Sequence, residues 1–563
     1  MRFRPSLLSL LVLISLILTA CAVPPPAQAA PLPPTATAMP EPTAVPTAEP
    51  TIEPTAEPTA EPTATPVAET PGDQPVAFLA PLGSYATGIA DASASEIVAY
   101  DPGSQHIFST NAANNTLDIL DAQDPSNLVL LLSVDMNPYG AGINGVAASH
   151  GLVAAAVAAE EADAPGQIVF LNPDGAVLAN VEAGALPDMV TFTPDGMTVL
   201  AANEGEPNGD YTVDPEGSIT LIDLSGGIES LSQANVTQLS FAAYNDAGID
   251  PAIRIFGPNA TVAQDLEPEY IAVSADGRTA YVTLQEANAL AVVDIAAREI
   301  AALVSLGFKD HNAADNGLDA SDKDGGINIR NWPVLGMYMP DSIAAFTADG
   351  ATYLVTANEG DSRDYDGYSE ETRVADLTLD PTAYPDAEML QAEENLGRLK
   401  TTTATGDSDG DGDVDQIYSY GARSFTIWDS QGALVWDSGD QFERILAERI
   451  PDFFNAQGGD EMDSRSDDKG GEPEAVATGV IDGRTYAFIG LERMSGIFVY
   501  DVSNPTAPVF IDYASNWDPS TDAGDISPEG FKFVAGEDSP TGSPLLIVAN
   551  EVSGTLSVWA INP

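Results

Sequence analysis

Residues 268–294 read PEYIAVSADGRTAYVTLQEANALAVVD. Three apolar runs rich in β-branched and aromatic residues follow one another. Asp276-Gly277 separates the first two, a strong signal for a tight hairpin. No 3.6-residue period competes with that reading. The same plan recurs along the chain. Pro187-Asp188 leads through Asp195-Gly196 and Asn203-Glu204 to SITLID at 218–223. Pro340-Asp341 leads through Asp349-Gly350 and Asn358-Glu359 and, after a long interruption, to FTIWD at 425–429. Pro473-Glu474 leads through Asp482-Gly483 and Leu491-Glu492 to FVYD at 498–501, and Pro528-Glu529 through Asn550-Glu551 to Trp559. Two weaker copies come first, one from Glu96 to LDILD at 117–121 and one from Asn144 to IVFLN at 168–172. A repeated antiparallel sheet unit is the blade of a propeller, so the prediction is an all-β, seven-bladed β-propeller. A β-sandwich array is the alternative. Seven blades need about 300 residues. The surplus falls in insertions at 205–217, 307–337, 361–416 and 438–472, and a strand near 76–79 is expected to close the ring.

The repeat places acids at two fixed steps. Asp188, Glu269, Asp341, Glu474 and Glu529 each follow a Pro at the start of the first strand, which in propellers lines the central channel. Glu204, Glu286, Glu359, Glu492 and Glu551 each close the second strand. Antiparallel neighbours bring the end of one strand beside the start of the other, so both sets are expected on one face. Carboxylates gathered there repel one another, and a cation, bound protons or basic partners must offset that. Lys309, Lys323, Arg330, Arg363, Arg465 and Lys469 are the bases available in the insertions. The alternative is that each acid caps backbone N–H groups. The Asp that ends strand three (Asp121, Asp223, Asp294, Asp429, Asp501) reads instead as an Asx-type turn.

The sharpest local motif is DSDGDGDVD at 407–415. Asp407, Asp409, Asp411, Asp413 and Asp415 offer oxygens at alternate positions of a Gly-permitted turn, which suits Ca²⁺. It departs from an EF-hand, because Tyr418 stands where a bidentate Glu belongs and no helices flank it. Asp319, Asp322 and Asp324 form a second candidate. Asp460, Glu461, Asp463, Asp467 and Asp468, with Arg465 and Lys469, form a third. There is no nucleophile elbow, phosphate-cradling loop or His-Glu-x-x-His. His106, His150 and His311 read as structural.

The chain has 563 residues with Lys+Arg 20 against Asp+Glu 85, a formal net charge of -65, yet 44% are hydrophobic. That balance excludes nucleic acid as a partner, since a polyanion needs Lys and Arg to displace its counterions. It equally excludes docking of the domain on an anionic membrane. Arg2 and Arg4 precede an apolar run from Leu7 to Leu18, and Leu-Thr-Ala-Cys21 follows. This has the form of a bacterial lipobox, which implies a signal peptide at 1–20 and lipid on Cys21. Cys21 is the single Cys, so the mature chain keeps no free thiol for chemistry. Residues 21–75 then form a Pro/Thr/Ala/Glu-rich, disordered spacer, and 76–563 the folded domain. The expected location is extracytoplasmic, lipid-anchored to the bacterial membrane or surface, with the lipid as the sole membrane contact and the domain a monomer.

Six stretches carry a resemblance to a known family: LEPEYIAVSADG at 266–277, GFKDH at 307–311, GLDASDKDGGINIRNWP at 317–333, TANEGDSRDY at 356–365, SRSDDK at 464–469 and ANEVSG at 549–554. They resemble the bacterial choice-of-anchor I family over nearly all of 76–563. The resemblance implies a secreted propeller with a surface anchor, and some members carry an alkaline-phosphatase label. It transfers no catalytic residue. Two functions are therefore expected in competition. One is a calcium-loaded module that binds an extracellular ligand or partner. The other is a calcium-dependent phosphoesterase, in which Arg330, Arg363, Arg465 and Lys469 would clamp the anion.

Overall fold

The computed structural model describes residues 77–457, 462–521 and 523–563. The signal segment, Cys21, the spacer, Asp460 and Glu461 lie outside the described residues. The Asp-Gly signals are local and form as read. In Asp349-Gly350 and Asp482-Gly483 both residues take positive φ, and Ala348 pairs with Ala351 and Ile481 with Arg484 across them. Positive φ at both central positions gives the turn whose twist matches the flanking strands.

Among the described residues these hairpins build seven four-stranded antiparallel sheets. Their first strands are Val98–Asp101, Gly142–Ser149, Pro187–Phe192, Pro268–Val273, Ile343–Ala348, Pro473–Ile481 and Pro528–Val534. Six sheets are continuous in sequence apart from their insertions. The seventh takes its outer strand from the other end of the chain. Leu79–Ala86 pairs antiparallel with Thr555–Ile561, from Leu79 opposite Ile561 to Ala86 opposite Thr555. The closing strand thus begins where the expected 76–79 segment ends.

The apolar residues that fill alternate strand positions pack between sheets. Leu200 and Ile219 of the third sheet meet Val282 and Leu284 of the fourth. Phe425 and Ile427 of the fifth meet Phe498 and Tyr500 of the sixth. Ile547 and Val558 of the seventh meet Tyr100 and Ile107 of the first. Clusters of the same kind join every other consecutive pair. The architecture is a β-propeller.

Two glycines show how closely the inner strands approach. A Cβ on Gly145 would lie 2.5 Å from the Asp188 carbonyl oxygen, and one on Gly530 2.4 Å from that of Glu96. Both neighbours are backbone of the adjacent sheet. Gly145→Ala is therefore expected to destabilise the domain by about 1–3 kcal/mol, read as a fall in the thermal midpoint. An unchanged midpoint would show that the inner strands can separate freely.

The insertions have a core of their own. Leu318, Trp332 and Val334 pack on Val374, Leu379, Tyr384, Leu396, Leu399 and Ile417. Val334–Met337 also pairs in parallel with Ile417–Ser419. The 307–337 and 361–416 insertions therefore fold together. The helix Gln441–Arg449 tucks Phe442 and Leu446 into the cluster between the fifth and sixth sheets.

Candidate functional site

A β-bulge explains how the first-strand acids reach the axis. Strand pairing skips Asp188 between Pro187 and Met189, Glu529 between Pro528 and Gly530, and Asn144 between Ile143 and Gly145. It likewise jumps from Pro268 to Ile271 and from Pro473 to Val476, across Glu269 and Glu474. A residue in a bulge is freed from the ladder and its side chain is re-aimed. Glu96, Asn144, Asp188, Asp341 and Glu529, with Tyr270, line one cavity of about 50 Å³. Glu269 lies within electrostatic reach of Asp341 and Asp188, and Glu474 of Glu529 and Asp341.

Asp188, Asp341 and Glu529 thus meet Glu96 at the cavity, Asp341 and Glu96 from just before their strands, with Glu269 and Glu474 close by. Among the described residues, no hydrogen bond or ion pair reaches any of these six carboxylates. Burial, together with the neighbouring acids, pushes Glu96 up to about 8 and Asp188 to about 6. It holds Glu269, Asp341, Glu474 and Glu529 well above the usual carboxylate range. Glu96, Asp188, Asp341, Glu474 and Glu529 are only half-buried, which tempers that effect.

The strand-end acids lie beside the ring. Burial raises Glu204 first, then Glu206 and Asp188. Glu286 adds to the rise at Glu269, Glu359 to that at Asp341, Glu492 to that at Glu474 and Glu551 to that at Glu529. Two of this outer set are paired. Glu359 binds Lys469 and accepts a 3.0 Å hydrogen bond from Gln285 Nε2. Glu492 binds Arg493.

The bases proposed as anion clamps have other work. Arg363, 1% exposed, binds Asp265 and lies 2.8 Å from Glu267. Arg465 donates to Glu472 and lies 2.9 Å from Asp468. Lys469 binds Glu359 and lies 3.4 Å from Glu472. Arg330 stacks on Trp332 at 3.6 Å and donates to Asn395. Three of these four bases are thus counter-ions of buried carboxylates. Glu359, Glu472 and Glu492 converge within 4.8 Å, but Lys469, Arg465 and Arg493 already balance them.

The 407–415 loop folds on its own acids. Asp407 accepts from the backbone N–H of Gly410 and of Gly412, and Asp415 from Ser408 N–H. Asp407, Asp409 and Asp415 offer oxygens within 4.8 Å of one another, as do Asp380, Asp413 and Asp415. Asp411 is the predicted ligand that neither group includes. Asp413 Oδ1 is buried with no hydrogen-bond partner, and burial with Asp411 beside it pushes the carboxyl up to about 6. An all-oxygen set with an orphaned acceptor fits a hard cation. Asp319, Asp324 and Asp463 also converge within 4.8 Å. They draw on both weaker candidates, while Asp322 and Asp467 turn to Arg398.

The model of one family, the Choice-of-anchor I domain, matches residues 96–505. The chain belongs to that family. It is a surface or extracytoplasmic β-propeller module. Gigasin-3a of Magallana gigas is 33% identical over 190 residues, covering 31% of this chain and 66% of that protein. The mesenchyme-specific cell surface glycoprotein of Strongylocentrotus purpuratus is 28% identical over 291 residues, covering 45% of this chain and 37% of that one. The matches therefore span about two thirds and a little over a third of these relatives. Among solved structures, Kuenenia stuttgartiensis hydrazine synthase aligns over 85% of this chain and 100% of that chain, with TM-score 0.43 and 12% identity. A Myceliophteria thermophila β-propeller domain aligns over 85% and 100%, with TM-score 0.39 and 10% identity.

In this choice-of-anchor I domain, three residues of the candidate sites escaped the sequence pattern. Glu96 and Asn144 start their repeats without a preceding Pro, yet their place in the repeat was a usable signal. Asp380 has none, because it reaches the loop through the Leu379–Val414 bridge. The strand-three Asp residues act as read. Asp121, Asp223, Asp429 and Asp501 each accept from the N–H two residues on, and Asp294 from the one three on. His311 is buried, with Nδ1 2.7 Å from the Asn316 carbonyl.

Proposed function

We propose that this choice-of-anchor I propeller is a ligand- or partner-binding surface module whose 407–415 loop binds Ca²⁺. Lipid on Cys21 would anchor it and the 22–75 spacer would hold it clear of the membrane. The carrying observation is the convergence of Asp407, Asp409 and Asp415 within 4.8 Å, with Asp380 and Asp413 meeting Asp415 on its other side. Asp380 lies far before Asp415 in the 361–416 insertion, so an ion there would tie two distant parts of it together. The module reading is supported further by the pairing of Arg363, Arg465 and Lys469, which commits three of the phosphoesterase reading's four clamp bases to buried carboxylates.

Thermal melting tests the loop. With Ca²⁺ about 100-fold above its dissociation constant, a site confined to the folded state adds about 2.7 kcal/mol. The midpoint is expected to rise with Ca²⁺ and fall with EDTA, and Asp407→Asn/Asp409→Asn should abolish most of the difference. A midpoint indifferent to both additions removes the assignment.

A further inference from the structure

We propose that the axial ring of Glu96, Asp188, Glu269, Asp341, Glu474 and Glu529 binds a divalent cation, Ca²⁺ or Mg²⁺, at a site separate from the 407–415 loop. The first ground is an unpartnered acceptor set. Glu269 is 8% exposed, its Oε2 has no partner, and its neighbours are Asp341 and Asp188 across the ring. Oε2 of Glu474 and of Glu529 are likewise buried without partners. A buried carboxylate oxygen with neither donor nor counter-charge is strongly disfavoured, and three acids of the ring bury one here. The base whose charge reaches Asp341 is Lys469, and it is bound to Glu359 and Glu472.

The second ground is the chemistry and size of the cavity. Its polar lining is carboxylate, the Asn144 amide and the Tyr270 hydroxyl, an oxygen-rich set that suits hard cations. A volume of about 50 Å³ holds an ion with a few waters, given about 10–15 Å³ per water, and no larger ligand. The tightly converging carboxylate trios lie elsewhere, such as Asp319, Asp324 and Asp463. A ring ion would therefore be held partly through its own waters, as Mg²⁺ commonly is. The bulges and the close approach at Gly145 and Gly530 fix the positions of Glu96, Asp188 and Glu529. The site is thus built into the backbone rather than gathered by flexible loops.

Terbium luminescence in the full chain tests this. Tb³⁺ occupies calcium sites and glows when a nearby tyrosine is excited, and Tyr270 lines the cavity. The background is Asp407→Asn/Asp415→Asn, which takes a ligand from both loop trios, so the result does not depend on the loop reading. Tyrosine-sensitised emission is expected there, displaced by excess Ca²⁺. Asp188→Asn/Asp341→Asn should weaken Tb³⁺ affinity about 10-fold or more. Tyr270→Phe should remove most of the emission and leave every carboxylate in place. Circular dichroism shows whether each variant is folded. If the charge-neutral pair misfolds, Tyr270→Phe alone decides. Absence of sensitised emission in the background protein, or emission unchanged by Tyr270→Phe, would overturn the proposal.

Discussion

Replacing Arg363 by methionine is expected to destabilise the domain by about 3–5 kcal/mol. The guanidinium binds the Asp265 carboxylate, donates to the Asp265 carbonyl at 3.1 Å, lies 2.8 Å from Glu267 and stacks over Phe256 at 4.5 Å. Asp265 and Glu267 are each 1% exposed. Methionine keeps the apolar stem but leaves two acids buried without a counter-charge, which accounts for the size of the loss. Arg363→Lys should fall between, since an ammonium cannot fork across two carboxylates. Chemical unfolding with the slope checked for constancy measures this. A loss below about 1 kcal/mol would be the behaviour of an exposed pair and would contradict the buried staple.

Glu472→Gln should have an effect of similar size. Glu472 is fully buried between Lys469, Arg465 and Arg493, at 3.4 Å from Lys469 Nζ and 3.0 Å from Arg493 Nε. Burial alone would raise its pKa. Lys469, Arg493 and Arg465 outweigh burial and bring it from the ordinary 4.5 down to about 2. A carboxylate held low in the fold stabilises at neutral pH and loses that contribution as pH falls from about 4.5 towards 2. The difference is worth about 3 kcal/mol. The wild-type midpoint should therefore drop through that acid window, and the Glu472→Gln protein should start lower and lose less. Glu492 contributes in the opposite direction, because burial and Glu472 raise it to about 8. Parallel acid profiles for the two proteins would show that Glu472 is not the group responsible.

What could be read from the sequence was what a short stretch of chain decides. The Asp-Gly turns at 349–350 and 482–483, the Asx turns after strand three and the Pro-acid steps at Asp188, Glu269, Asp341, Glu474 and Glu529 need only their own neighbours and a repeat. Pairings across the fold were not legible. Arg363 looked free because Asp265 and Glu267 come from far earlier in the chain, Asp265 from the helix Val262–Asp265 and Glu267 from just before the strand Pro268–Val273. Lys469 and Arg465 looked free because their partner Glu472 was one more acid in an acidic run. Asp463 meets Asp319 and Asp324 only because two insertions fold side by side. The net charge of -65 raised the expectation of cations. It gave no indication that several of the few bases are consumed inside.

Hydrogen exchange of the full chain, with and without Ca²⁺, tests the proposed function most directly. Exchange at 377–380 and 404–417 is expected to slow on adding Ca²⁺ and to stay fast in Asp407→Asn/Asp409→Asn. The apolar core between sheets should not change. Identical exchange in those two segments with and without Ca²⁺ would contradict the account.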